Sequence, residues 1–150
     1  SASNVYGQAY VYLGNSGEGK STMIGLTANV FPSLADDSII IKKEADSYFL
    51  YQTPFIEKHY WIEKNFVKIP LGKIFFLEKS HLFMIEELEN KDEILPQFIK
   101  QLWGHESDVK KQMQLALEFV THFDRFYRIS FGLQNKEKLV QLLEASHQKL

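Results

Sequence analysis

The sequence predicts a mixed α/β fold, in which helices flank a sheet, and two segments are the main reason. Residues 9–13 (Ala-Tyr-Val-Tyr-Leu) are rich in β-forming side chains and end in a cluster of glycines, after which apolar residues follow a helical spacing. Residues 73–77 (Lys-Ile-Phe-Phe-Leu) form a nearly continuous apolar run, which is typical of a strand covered on both faces. Strands that alternate with helices along a chain indicate a layered α/β architecture.

The first half of the chain is predicted as strand, helix and hairpin. After the glycines, residues 21–30 are apolar at helical spacing, and Pro32 stops that helix because proline lacks the amide hydrogen that a helix needs. Two runs of β-forming residues, 39–41 and 48–51, flank the charged segment 42–47. We therefore expect these runs to pair as an antiparallel hairpin.

The second half of the chain is predicted to hold more strands and three helices. Residues 53–70 show no period and are predicted as a loop, with a short strand near Phe66. The other predicted elements are a strand over 84–88, a helix over 92–103 ended by Gly104, a helix over 108–126, a strand over 127–131 and a final helix capped by Asn135.

Apolar residues in these elements predict the core. The helix over 108–126 is expected to pack through the face that carries Val109, Met113, Leu117 and Val120. The final helix is expected to pack through its leucines at 139, 142 and 143. Six rings are predicted to lie in the core: Phe66, Phe75, Phe76, Phe119, Phe123 and Phe131.

Composition restricts the classes of function. Seventeen Lys and Arg against nineteen Asp and Glu give a net charge of −2, so there is no basic excess to neutralise a nucleic-acid backbone. The absence of cysteine excludes a disulfide scaffold, a cysteine nucleophile and a thiolate metal site. Apolar runs are far shorter than the about 20 residues that cross a bilayer. We expect one cytoplasmic domain over 1–150 that binds neither nucleic acid nor membrane.

The most informative motif is Gly-Asn-Ser-Gly-Glu-Gly-Lys-Ser at 14–21, which has the phosphate-loop pattern. Glycines let backbone amides converge on a phosphate, and the dipole of the following helix favours the same anion. Lys20 adds a positive charge, and the Ser21 hydroxyl is a suitable Mg²⁺ ligand. We therefore expect the chain to bind a nucleoside triphosphate or another phosphate, with Mg²⁺ as the metal ion. The predicted binding residues are Gly14, Asn15, Ser16, Gly17, Glu18, Gly19, Lys20, Ser21 and Thr22.

Several classes of phosphate-loop protein are excluded by missing motifs. Residues 135–138 (Asn-Lys-Glu-Lys) have lysine where the base-reading motif of a GTPase needs aspartate, and no Asp-x-x-Gly occurs. The Ser-Gly-Gly signature of transporter-type ATPases is absent. The chain has two arginines, Arg125 and Arg128, which is too few for the arginine-rich lid of adenylate-kinase-like enzymes.

Asp36 and Asp37 are the second candidate feature, one helix beyond the glycine motif. Paired carboxylates can divide two tasks: one completes a Mg²⁺ shell and the other takes the proton of an attacking hydroxyl. We therefore predict Lys20, Asp36 and Asp37 as catalytic residues and Ser21, Asp36 and Asp37 as metal ligands, with the division between the two aspartates left open. The alternative is an exposed acidic pair where a strand begins.

In their order, these motifs resemble the C-terminal catalytic domain of HPr kinase/phosphorylase and its short kinase-like relatives. The residues that match are Leu-Ala-Asp-Asp at 34–37, Thr-Pro-Phe at 53–55, the strand at 70–77, the aromatic strand at 126–131 and the closing helix at 135–150. The resemblance therefore covers nearly the whole chain. The family often has a histidine before the strand that leads to the glycines, and this chain has Ser-Ala-Ser-Asn at 1–4.

The resemblance implies a P-loop domain whose fold is shared with phosphoenolpyruvate carboxykinase, and ATP-dependent phosphorylation of a serine hydroxyl. The acceptor would be a peptide or small protein: a phosphocarrier, or a ribosomally made precursor such as that of a lasso peptide. It also implies that Asp36 and Asp37 share metal binding and proton abstraction, and that the chain can form homo-oligomers. The arginine-containing C-terminal signature has no counterpart, so phosphorylase activity is not predicted.

Other interpretations stay open at this point. Residues 57–61 (Glu-Lys-His-Tyr-Trp) can form a lid over a substrate, or a solvated connector with Trp61 packed inward. Arg125 or Arg128 can stabilise charge on the transferred phosphate, or simply complement a helix end. The chain can also be a kinase for a small hydroxyl metabolite, or a nucleotide-binding module without catalysis.

Overall fold

The computed structural model describes residues 1–66, 68–103 and 108–148. In chain order, its elements are β1 (Ala2–Val5), β2 (Gln8–Leu13), α1 (Lys20–Thr27), β3 (Ser33–Ala35), β4 (Ile39–Glu44), β5 (Ser47–Gln52), β6 (Ile69–Lys79), β7 (Met84–Glu87), α2 (Lys91–Ile99), α3 (Val109–His122), β8 (Phe126–Phe131) and α4 (Lys136–Gln148). The chain is therefore α/β, as its sequence predicts.

The strands of the described residues form one mixed sheet around β6. Along one edge, β6 pairs in parallel with β2. Along its other edge, β6 has two partners in succession. It pairs antiparallel with β5 at Ile69 and Pro70, and then in parallel with β8 from Ile74 onward. The prediction of a buried central strand at 73–77 is confirmed, because all five residues are buried and residues 74–76 pair with β2 on one side and with β8 on the other.

The hairpin predicted after α1 is also confirmed. β4 and β5 pair antiparallel in a continuous register that runs from Ile39 opposite Gln52 to Glu44 opposite Ser47. Ala45 in the connecting turn has φ 51°, the left-handed conformation that two-residue hairpin turns require. The chain therefore turns back directly here instead of crossing over to a parallel strand.

Helices cover both faces of the sheet, because side chains alternate along its buried strands. On β2, Ala9 and Val11 face one apolar cluster while Tyr10 and Tyr12 face the other. The first cluster packs against α2 and α3, and the second against α1 and α4. In α4, Leu139 and Leu143 are buried as expected. Among the described residues, no helix has the length and apolar character needed to cross a membrane.

Some predicted element boundaries are wrong. The strands β1 and β3 were not predicted, and β6 begins at Ile69, inside the segment predicted as a loop. The three helices predicted over 21–30, 92–103 and 108–126 end earlier, at Thr27, Ile99 and His122. The predicted stop at Gly104 and the last two residues of the chain lie outside the described residues. The predicted cap is confirmed: Asn135 Oδ1 accepts a hydrogen bond from the Lys138 amide at 2.9 Å.

The prediction that Phe66 belongs to a strand and to the core is wrong. Its φ of 55° is incompatible with an extended strand, and its side chain is 60% exposed. The side chain of Gln52 accepts hydrogen bonds from the amides of Asn65 and Phe66, which holds the backbone in this turn. The other five predicted core rings are buried.

The predicted packing face of α3 is wrong as well. Three residues of that face, Val109, Met113 and Leu117, are exposed, and only Val120 is buried as predicted. The buried face carries Ala116 and Phe119 beside Val120. Phe119 stacks against Phe98 at 5.0 Å and against Phe123 at 5.1 Å between ring centroids, and it meets Phe126 edge-on. Aromatic rings bury more apolar area than aliphatic side chains, so this cluster decides which face turns inward.

Candidate functional site

The glycine-rich segment at 14–21, here called the glycine loop, connects β2 to α1. Gly17 and Gly19 have φ values of 84° and 101°, which residues other than glycine rarely adopt. Lys20 folds back over the loop, and its Nζ donates hydrogen bonds to the carbonyl oxygens of Gly14 at 2.7 Å and Asn15 at 3.0 Å. The loop is thereby closed at the N-terminal end of α1, where backbone amides and the helix dipole favour an anion.

Glu18 braces the outer side of this loop. Its carboxylate accepts a hydrogen bond from the backbone amide of Asn15 and a second one from Asn15 Nδ2 at 2.8 Å. Both residues were predicted to bind a ligand, but in this structure their side chains bind each other. These contacts support the shape of the loop, and ligand binding by the two residues stays a prediction.

A cavity of about 750 Å³ lies beside the glycine loop. It is located where β2, β6 and β8, which run parallel, reach their carboxyl ends, and open α/β sheets place ligands at this edge. The predicted residues that line it are Ser16, Gly17, Gly19, Lys20, Ser21, Thr22, Asp36 and Asp37. Gly14, Asn15 and Glu18 are absent from the lining. The structure thus brings both predicted features, the glycine loop and the aspartate pair, to one cavity.

Asp36 is buried and contacts three parts of the chain. Its Oδ1 accepts a hydrogen bond from the Ser21 hydroxyl at 2.7 Å, and its Oδ2 lies 3.2 Å from His59 Nε2. Its backbone amide donates to Glu57 Oε2 at 3.0 Å, and its carbonyl accepts from the Ser1 hydroxyl at 2.5 Å. The Ser21–Asp36 contact places a hydroxyl and a carboxylate, both hard oxygen ligands, within one hydrogen bond of each other.

Asp37 has a different environment from its neighbour. It is exposed and lines the cavity, whereas Asp36 is covered by Ser21 and His59. The two adjacent carboxylates therefore differ in what can reach them: Asp37 is accessible to a molecule that enters the cavity, while Asp36 faces the first turn of α1. This asymmetry is visible in the structure and has no signal in the sequence.

The segment 53–66, here called the 53–66 loop, covers Asp36 through Glu57 and His59. Glu57 forms an ion pair with Lys64, whose Nζ also donates to the Thr53 carbonyl at 2.9 Å. Of the two interpretations of residues 57–61, the one with Trp61 packed inward is wrong in that respect: Trp61 is 41% exposed and stacks on His59, and Ile62 is buried instead. Lys58 on the same loop lines the cavity.

The segments 79–81 and 131–134 complete the cavity and were not predicted as site residues. They bring Lys79, Ser80 and His81 from the end of β6, and Phe131 to Gln134 from the end of β8. The two segments are joined by a hydrogen bond from Gln134 Nε2 to the His81 carbonyl at 3.2 Å. The signal that could have found them is their position directly after two predicted strands, since ligands of α/β sheets bind beyond the carboxyl ends of the strands.

The two arginines lie away from the cavity. Arg125 donates to the Leu71 carbonyl at 2.9 Å, and Arg128 pairs with Glu86 of β7 at 2.9 Å. Each therefore supports the sheet. Within residues 1–66, 68–103 and 108–148, no cluster of three or more His, Asp or Glu side chains is arranged to hold a metal ion. A Mg²⁺ ion at Ser21 and Asp36 would need further oxygen ligands from a bound phosphate or water, which is the usual arrangement for this ion.

Comparison with known proteins gives no relatives. No family model matches the chain, and neither a curated protein nor a solved structure matches it. The resemblance to HPr kinase/phosphorylase therefore rests on the sequence motifs alone.

Proposed function

We propose that this chain is a small HPr-kinase-like phosphotransferase that transfers the γ-phosphate of Mg-ATP to a Ser or Thr hydroxyl of a peptide or small protein. The observation that supports the proposal best is the 2.7 Å contact between Ser21 of the glycine loop and Asp36 of the aspartate pair. In a phosphoryl-transfer site, a loop that holds phosphates must lie beside the carboxylates that act on metal and acceptor.

In this proposal, the glycine loop and Lys20 hold the β- and γ-phosphates. The Lys20 side chain contacts the Gly14 carbonyl of the glycine loop and lines the cavity. Lys58 and Lys79 add positive charge to the cavity wall. Ser21 and Asp36 are the residues that would hold Mg²⁺, together with phosphate oxygens. When bound, Mg²⁺ neutralises charge that develops on the phosphates during transfer.

The asymmetry of the aspartates suggests a role for each. Asp36 is buried beside Ser21 and acts on the metal side, whereas Asp37 is open to the cavity and acts on the acceptor. The acceptor hydroxyl gives its proton to the Asp37 carboxylate as its oxygen bonds to the γ-phosphorus. The bond from that phosphorus to the β–γ bridging oxygen breaks, and ADP leaves.

The hairpin of β4 and β5 supports the HPr-kinase-like type over an ordinary phosphate-loop kinase. Common phosphate-loop folds continue from the first helix to a strand parallel to the first one. Here the chain passes through β3, which belongs to an antiparallel edge, and then turns back in the hairpin. A kinase for a small metabolite and a nucleotide-binding module without catalysis are separated from the proposal by experiment.

The test is ATP binding by the wild-type protein and by two lysine variants, measured by calorimetry in the presence of Mg²⁺. We expect Lys20→Ala to lose about tenfold or more in ATP affinity, because the Lys20 side chain contacts the ligand and is not part of the apolar core. The matched control is Lys111→Ala, an exposed lysine on α3, which should bind like the wild type. Equal ATP affinity in all three proteins would rule out the glycine loop as a nucleotide site.

Turnover then separates the remaining candidates. Release of ADP distinguishes an enzyme from a binding module, and mass spectrometry of the product identifies the acceptor. A phosphorylated peptide supports the proposal, whereas a phosphorylated metabolite in place of a peptide supports the small-molecule kinase.

A further inference from the structure

His59 contacts the Asp36 carboxylate from a loop whose role the proposed function leaves unassigned. We propose that His59 is a positioning residue, which fixes the orientation of the Asp36 carboxylate. The 53–66 loop would thereby influence how Asp36 binds Mg²⁺. The inference rests on the proposed function of Asp36. It adds a residue that has no part in the glycine motif or the aspartate pair.

The first step is the geometry at the carboxylate. Ser21 Oγ binds Oδ1 at 2.7 Å, and His59 Nε2 lies 3.2 Å from Oδ2, so both oxygens of Asp36 have a partner. The terminal torsion of an aspartate has a broad, two-fold energy profile and is poorly defined by its own rotamer preference. A contact at only one oxygen leaves that torsion loose, whereas the Ser21 hydrogen bond at Oδ1 and the His59 ion-pair contact at Oδ2 together fix the plane of the carboxylate.

The second step is the support of His59 itself. Its ring stacks on Trp61 with 4.2 Å between ring centroids and 21° between planes. Two residues earlier, Glu57 accepts a hydrogen bond from the Asp36 backbone amide and pairs with Lys64. The 53–66 loop thus holds Asp36 at its backbone and at its side chain, which is more than a solvated connector would do.

The third step is the consequence for metal binding. Groups that hold a metal ligand in place commonly change metal affinity or activity by about 10- to 100-fold when they are removed. We therefore expect His59→Ala to raise the Mg²⁺ concentration for half-maximal ATP binding by about 10- to 100-fold. The fold is expected to survive, because the ring is partly exposed and lies outside both apolar clusters.

The choice of conservative variants makes the test specific. The contact is made by Nε2, and the amide nitrogen of glutamine reaches a similar distance from the backbone. The amide nitrogen of asparagine takes instead the place of Nδ1, which is not the contacting atom. His59→Gln should therefore restore most of the Mg²⁺ dependence that His59→Ala loses, and His59→Asn should not.

The experiment is calorimetry of ATP binding at varied Mg²⁺ for the wild type and the three His59 variants, followed by ADP release for kcat and KM. Ile56→Ala is the control, because Ile56 lies on the same loop with a 99% exposed side chain. Wild-type behaviour of His59→Ala, or equal effects of the glutamine and asparagine variants, would overturn the inference alone. Absence of ATP binding by the wild type would overturn the proposed function and this inference with it.

Discussion

The two aspartates offer the sharpest test, because the same substitution should have a different effect at each position. In Asp36→Asn the side chain keeps its shape but has one acceptor oxygen where the carboxylate has two. The Ser21 hydroxyl and His59 Nε2 both approach that group, so one of them then faces an amide NH₂. In Asp37→Asn the side chain stays exposed in the cavity, and it loses its negative charge and its ability to take a proton.

The magnitudes follow from these environments. A hydrogen bond to a charged group contributes about 1.5–3 kcal/mol, and each 1.4 kcal/mol corresponds to about tenfold in affinity. We therefore expect Asp36→Asn to weaken Mg-dependent ATP binding by about 10- to 100-fold. Loss of a general base lowers kcat by about 10²- to 10⁴-fold, so Asp37→Asn should show that loss with ATP affinity nearly unchanged.

The assay needs two measurements on each variant. Calorimetry with ATP, with and without Mg²⁺, gives the metal-dependent part of the affinity, and ADP release gives kcat. Slow hydrolysis of ATP by water replaces transfer until an acceptor is found. Asp46→Asn, an exposed aspartate in the turn between β4 and β5, is the matched control and should behave like the wild type.

Two results would refute the reasoning. If both variants bind and turn over ATP like the wild type, the aspartate pair is only the entry to a strand and the chain is better described as a binding module. If Asp37→Asn weakens Mg²⁺-dependent binding while Asp36→Asn lowers only kcat, the aspartates have the opposite roles to those proposed.

Two further predictions concern stability. Phe119→Ala should lower the free energy of unfolding by about 3–5 kcal/mol, because the Phe119 ring packs in the aromatic cluster. The control is Leu117→Ala on the exposed face of α3, which should change the free energy of unfolding by less than about 0.5 kcal/mol. Urea denaturation measures both values. Hydrogen bonds from Lys68 and Tyr51 lower the pKa of Glu44 below its usual 4.5 in the folded protein. The stabilisation from these hydrogen bonds is therefore present above pH 4.5 and is lost as the pH falls through the pKa of folded Glu44. The decrease in Tm on acidification should accordingly be smaller in Glu44→Gln than in the wild type.

The elements whose pattern is local could be predicted from the sequence. The buried run at 73–77, the hairpin around 42–47, the glycine loop and the Asn135 cap all depend on neighbouring residues, through side-chain alternation, turn chemistry or a capping hydrogen bond. The loop and the aspartate pair were identified for the same reason, since their residue types and spacing lie within one strand–helix unit.

Features that depend on residues distant in the sequence could not be predicted from it and are seen only in the folded chain. β1 and β3 are short and partly polar, so their extended state comes from pairing with each other and with β2. Apolar residues occur at helical spacing on two faces of α3. The face that carries Phe119 is the buried one, because its ring packs against Phe98 and Phe123. His59 reaches Asp36 because the 53–66 loop folds back over it. Such contacts join residues far apart in sequence. Their energies depend on tertiary packing, which cannot be inferred from a local sequence pattern.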